Sequence, residues 1–211
     1  LLGRHYLQIS DSKHIVGSFN SHLRDCIMLF ADEAFFAGDK RHASHLKALI
    51  TEDRLMIEGK GVDAVDAPNY LHVIMASNDE WVVPAGRDER RYFVLDVAAS
   101  KKGDMEYWKF LRSSMEDNNY EGRRNLLHFL LTYDLSNFQV RTVPKTAGLK
   151  DQKMLSMSSE YEWWFNKLND GILVPTHLTW SRPISKQILV ADYLQYAQKI
   201  GIPRRLSESS L

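Results

Sequence analysis

Apolar and polar positions alternate on two different scales along this chain, and the change falls near Ala98. Before it, apolar residues come in short runs. Ile27 to Phe30 leads into Ala31-Asp32-Glu33, and Leu71 to Ala76 leads into Ser77-Asn78. Short apolar runs that end on polar residues predict buried strands. Tyr6 to Ile9 predicts a short strand or turn, and Phe19 to Arg24 a helix. From Asp39 to Leu49, residues His42, His45, Leu46 and Leu49 recur at helical spacing, so a helix is expected with Asp39 at its N-cap. Leu55 to Ile57 and Val62 to Val65 flank Gly59-Lys60-Gly61 and predict a hairpin with a glycine-rich tip. Pro68-Asn69 is a turn, and the alternation from Arg91 to Val97 predicts a third strand.

After Ala98 the period becomes helical. Met105 to Met115 and Gly122 to Tyr133 predict two helices, the second with Leu126, Leu127, Leu130 and Leu131 on one face. Ser136 to Gly148 reads as loop. Lys150 to Leu168 reads as a helix stopped by Asn169-Asp170-Gly171. Pro175 and Pro183 punctuate a connector, Ser185 to Gly201 predicts a last helix, and Ser207 caps the start of another. Strands with interleaved helices, then helices alone, give an α/β region followed by a helical one. The expected division is 1–98, 99–170 and 171–211.

The 211 residues, 44% of them hydrophobic and five of them Trp, suffice for a packed core. Formal net charge is zero, so nucleic-acid contact must come from local basic clusters. The single cysteine, Cys26, excludes an intramolecular disulfide and points to a reducing, cytoplasmic compartment. Cys26 itself reads as a small buried apolar residue. No apolar run approaches the roughly 20 residues of a membrane span.

The candidate chemistry lies where the apolar runs end. Open α/β sheets place their ligands at the carboxyl ends of the strands. An Asp there can hold the Mg²⁺ of a bound nucleotide, and a neighbouring Glu can polarise the attacking water, as in P-loop NTPases. Asp32 and Glu33 take that position on the first run, and Asn78 follows the second. The cluster Arg87-Asp88-Glu89-Arg90-Arg91 comes next. A phosphate-cradling GxxxxGK[ST] loop should precede this set, and it occurs nowhere in the chain. The expectation is a longer parent protein whose phosphate loop lies before Leu1.

Taken together, Ala31-Asp32-Glu33, the Lys60 hairpin, Ser77-Asn78 and Arg90-Arg91 resemble superfamily 3 DNA helicases. Within them the chain is most similar to the primase-helicases of phages, plasmids and large DNA viruses, including the poxvirus-type NTPase. Asn125-Leu126-Leu127, Asp134-Leu135-Ser136, Val143-Pro144-Lys145-Thr146, Trp163-Trp164 and Asp192-Tyr193 carry the resemblance into the second half. The resemblance implies a partial P-loop NTPase sheet of the AAA+ type with flanking helices, then a helical region ending in the start of a winged helix. It implies a hexameric ring that couples ATP hydrolysis to DNA unwinding and draws single-stranded DNA through its centre. In these terms Asp32 and Glu33 bind Mg²⁺-ATP and position water, and Asn78 senses the γ-phosphate. Arg90 or Arg91 is an arginine finger acting on the neighbouring subunit. Lys60, with Lys47 and Arg54 as weaker members of the same patch, contacts DNA phosphate.

Blander readings stand beside these. The acids also suit a helix cap, Asn78 a turn, the arginines a solvated charge run, and Lys60 an exposed turn lysine. His42 and His45 stand at helical spacing with no cysteine or third ligand near them in the sequence, and with His5 and His22 they do not read as a metal site. Trp163 and Trp164 read as core rather than as base-stacking platforms, and Arg204-Arg205 as a phosphate contact or a solvated turn. Two alternatives to the motor ATPase are carried forward. One is a Mg²⁺-dependent nuclease using Asp32, Glu33 and Asp39. The other is a non-catalytic DNA-binding or assembly module.

Overall fold

A computed structural model describes residues 2–17, 19–34, 40–140, 142–173 and 183–202. It divides into two compact units, one of Leu1–Val83 with Arg90–Leu149 and the other of Pro84–Glu89 with Lys150–Leu211. The fold is mixed α/β, with a small parallel sheet and several helices.

The sheet belongs to the first unit. Strands β1 (Tyr6–Ile9), β2 (Met28–Asp32) and β5 (His72–Ala76) lie in the order β1-β2-β5, with both pairings parallel. The two runs predicted as buried strands therefore lie side by side, with the Asp-Glu strand in the middle, and Tyr6–Ile9, read as a short strand or turn, adds the third strand of the sheet. Leu29 and Ala31 of β2 are fully buried, while Met28, Phe30 and Asp32 on the other face are half-buried. Ile9, Ile15, Leu23, Leu46 and Leu49 are also buried in this unit.

Between β2 and β5 the chain makes a long excursion, residues 33–71, as a parallel connection requires. It holds helix α2 (Lys40–Thr51) and a separate antiparallel hairpin, β3 (Arg54–Gly59) and β4 (Val62–Pro68). The short helix α1 (Lys13–Val16) lies against α2. Asn69 fastens the base of the excursion. Its side-chain amide donates to the carbonyls of Leu49 and Glu52 at the end of α2, and its Oδ1 accepts the Leu71 amide just before β5. Helix carbonyls that lack an intrahelical partner are thereby satisfied. The segment Phe19 to Arg24 contains only a single 3-10 turn over Ser21–Leu23, where the sequence pattern predicts a helix.

The third strand expected over Arg91 to Val97 does not form; the segment has no ladder partner among the described residues. Its backbone is used otherwise. Gly148, in the first turn of α4 (Ala147–Leu155), lies so close that an added Cβ would stand 3.0 Å from Val94 Cγ1 and 3.2 Å from its carbonyl oxygen. Packing against a helix terminus replaces the strand edge that the alternation suggests, and it leaves Val97 92% exposed.

Helix α3 (Met105–Thr132) is two helices in sequence, as the two separate periodic stretches predict. Asp117 is extended, and Asn118, Asn119 and Tyr120 all take left-handed φ, which breaks the helix. Asparagine tolerates that region better than most residues. Gly122 fits the sharp return: a Cβ there would lie 2.1 Å from the Ser114 carbonyl oxygen.

In the second unit, the helix expected from Lys150 to Leu168 is divided into α4 and α5 (Ser159–Asp170). Gly171, left-handed at φ 69°, ends α5 as the sequence predicts. Helix α6 (Lys186–Lys199) packs on α5 through Trp163, Tyr193 and Ala197. Trp163 sits edge-on to Tyr193 with ring centroids 5.7 Å apart, and its indole N–H donates to Asp192 Oδ2 at 2.7 Å. The same Asp192 oxygen pairs with Lys167 Nζ at 2.7 Å. Trp163 is thus core, as expected, and its polar edge is spoken for; Trp164 is partly exposed. Pro175, Arg204, Arg205 and Ser207 lie outside the described residues, as does the side chain of His42. No helix among the described residues is long and apolar enough to cross a membrane.

Candidate functional site

The parallel register decides which polar residues meet. Asp32 of β2 is level with Ala76 of β5, so the residues that follow each strand emerge side by side at the carboxyl edge. Glu33 leaves β2 in a left-handed conformation, φ 52°, while its amide still donates to the Ala76 carbonyl at 2.9 Å. A non-glycine residue held in that region costs of order 1–3 kcal/mol, and such residues cluster at functional sites. On the β5 side, the Asp79 amide donates to Ser77 Oγ at 3.0 Å, closing a small turn that presents Asn78. Asn78 Nδ2 then donates to Glu33 Oε1 at 2.7 Å. Two residues 45 positions apart in sequence become direct partners.

Asp32 sits beside them, half-buried at the end of the strand. Its neighbour on the other side is Gln8 of β1, whose Nε2 donates to Asp32 Oδ2 at 3.4 Å; Gln8 Oε1 in turn accepts from Tyr6 OH at 3.4 Å. A polar row therefore crosses the sheet: Tyr6, Gln8 and Asp32 on one side, Glu33 and Asn78 on the other. Gln8 was not among the expected site residues. Its one sequence signal is a carboxamide in a four-residue apolar strand.

The row combines carboxylate oxygens with a carboxamide that can turn to a phosphate oxygen. That donor set fits Mg²⁺, which is commonly held by one or two carboxylates together with waters and substrate phosphates. Among the described residues no three of His, Cys, Asp and Glu stand close enough to hold a metal by themselves. Asp39 lies outside the described residues.

The remaining candidates are placed elsewhere. Arg90 and Arg91 are exposed in the irregular segment beyond β5. Lys60 is exposed at the tip of the β3–β4 hairpin, followed by Gly61 at φ 73°. Arg54 forms an ion pair with Asp66 across the base of that hairpin and also donates to the Asp66 carbonyl at 3.2 Å, so its charge is engaged within the hairpin. Lys47 is half-buried on α2. Cys26 is buried, donates its thiol to the Met28 carbonyl at 3.3 Å, and has its pKa pushed up by burial.

A family of unknown function, DUF5906, matches residues 1–91, the stretch that holds the parallel sheet, the hairpin and both ends of the polar row. No curated protein matches the chain. Among solved structures the fold is shared with apo forms of the NrS-1 C-terminal region. One, of residues 305–718, superposes with a TM-score of 0.59 at 16% identity over 94% of this chain. An A-form structure gives 0.61 at 17% over 96%, and an A-form structure of 305–718 gives 0.57 at 17% over 97%. The chain spans 52–53% of those structures.

Proposed function

We propose that this chain is part of a replication protein of the phage primase-helicase kind, and that its parallel sheet belongs to a superfamily 3, P-loop type ATPase core. The fold shared with NrS-1, a phage primase-helicase, supports the first half of that reading. The observation that carries the second is the hydrogen bond from Asn78 to Glu33 beside Asp32, at the carboxyl end of adjacent parallel strands. In this reading Asp32 would hold a Mg²⁺ ion, which when bound would supply charge neutralisation for phosphoryl transfer. Glu33 accepts a proton from the attacking water. Asn78 holds the Glu33 carboxylate until a phosphate oxygen competes for the same N–H. Arg90 or Arg91 supplies a guanidinium to the active site of a neighbouring subunit in a hexameric ring. Lys60 meets single-stranded DNA. The 99–170 helices form a lid, and 171–211 begins a winged helix.

The nuclease alternative needs Asp39, which lies outside the described residues, beside Asp32 and Glu33. The motor reading uses the Asn78 contact, which cleavage chemistry leaves unexplained.

The test is DNA-stimulated ATP hydrolysis by the protein that carries this chain together with its phosphate loop. Glu33→Gln is expected to lower kcat by about 10²-fold or more, the share of a general base. Single-stranded DNA binding is expected to persist. Unchanged ATP turnover in Glu33→Gln and Asp32→Asn would sink the assignment, and loss of ATP-independent DNA cleavage in the same variants would put the nuclease in its place.

A further inference from the structure

Asn20 is a buried polar residue, 9% exposed, in the loop before β2. Three of its hydrogen bonds go to the outer edge of β3. Its side chain donates from Nδ2 to the Met56 carbonyl at 2.8 Å and accepts the Glu58 amide on Oδ1 at 2.7 Å. Its own amide donates to the Glu58 carbonyl at 3.0 Å. One residue thus supplies the pairing that a third strand would give. It does so where the hairpin's own ladder is weakest: between Ile57 and Gly59 the register slips, because Gly59 pairs with Val62 while Ile57 pairs with Val65. Such irregularities leave a residue unpaired and re-aim what lies beyond. Beyond it here lies the Gly59-Lys60-Gly61 tip. The carbonyl of Asn20 also accepts the Leu23 amide at 2.8 Å, which ties the clamp to the 3-10 turn that leads toward β2.

We propose that Asn20 is the positioning residue for Lys60: it fixes the distal half of β3 against the loop before β2 and so holds the ammonium where a phosphate of single-stranded DNA can meet it. The inference rests on the hairpin being the DNA-contacting element. With the clamp removed, the tip swings on two glycines and the irregular ladder, and Lys60 meets phosphate only after losing that freedom. Weaker binding is then expected with no contact to DNA deleted.

The experiment measures anisotropy of labelled oligo(dT) with the full 211-residue chain over a salt series. Lys60→Ala is expected to weaken binding and to reduce the salt slope by about 0.7, the value of one phosphate contact on a single strand. Asn20→Ala is expected to weaken binding similarly and to add little in the Lys60→Ala background, since both remove the same contact. A cooperatively folded Asn20→Ala chain that binds as the unaltered chain does, while Lys60→Ala is weakened, overturns the role of Asn20 and leaves the hairpin reading intact. Lys60→Ala without effect overturns the hairpin reading itself, and the inference with it. A second measurement needs no substitution: hydrogen exchange of the unaltered chain. Oligo(dT) is expected to slow exchange at the Glu58 amide along with those of Lys60 and Gly61, and protection of the tip alone overturns the clamp.

Discussion

Asp32, Glu33 and Asn78 could be found in the linear sequence because each ends an apolar run, and a parallel sheet brings the ends of such runs to one edge. The residues that brace the sheet and the hairpin could not. Gln8, Asn20 and Asn69 act through backbone or carboxylate groups 17 to 38 positions away, and even the turn read at Pro68-Asn69 says nothing of the helix end that Asn69 holds. Arg54 shows the converse: read alone it is a free cation, yet in the fold it is paired with Asp66. Gly122 belongs to the same scale. An added methyl group there would stand 2.1 Å from a backbone oxygen, which has no side-chain freedom to withdraw. Gly122→Ala is therefore expected to destabilise the chain by about 1–3 kcal/mol, the range for forced overpacking. Urea unfolding measures it; an unchanged or raised midpoint would show that the two halves of α3 do not make this return.

At the level of elements, the hairpin and most helices follow from their periodicity, and the misreadings have long-range causes. The periodicity from Lys150 to Leu168 gives one helix, but Ser156 Oγ accepts the Ala85 amide at 3.0 Å and Ser158 is extended, so the chain stops and restarts. The α5–α6 pair also carries a titration. The Tyr196 phenol is pushed up to about 12, first by burial and then by its hydrogen bond to Glu162 and that carboxylate's charge. The folded state holds this proton more tightly than the unfolded state does, so the contribution is whole below pH 10 and is lost as pH rises toward about 12. Denaturation midpoints taken across that window are expected to fall more steeply for the unaltered chain than for Tyr196→Phe. Parallel curves would assign the alkaline loss to other groups.

At the largest scale, the described residues leave much apolar surface uncovered. No residue of α3 is buried, and Met105, Phe110, Leu131, Phe138 and Val140 are all well exposed, as is Val97. Apolar surface left uncovered to this extent marks contact surfaces or aggregation sites when it forms continuous patches. Sedimentation velocity over a range of protein concentrations is expected to show reversible self-association, or aggregation at high loading. A monodisperse monomer throughout would mean that these side chains are covered in solution. This surface was not legible in the sequence, because the leucine stripe from Leu126 to Leu131 looks the same whether or not a core receives it.

The long crossover between β2 and β5 has an evolutionary consequence. The carboxylates and Asn78 are held by strand register, and the whole of α2 and the hairpin lies in the loop that leaves and rejoins that register. Insertions or replacements within the excursion leave the spacing of Glu33 and Asn78 untouched, whereas a single-residue insertion inside β2 turns the acids, and one inside β5 turns Asn78, to the opposite face. Relatives of this chain are then free to exchange the part that we assign to the polymer while inheriting the part that we assign to hydrolysis unchanged, and length variation should gather between positions 34 and 71.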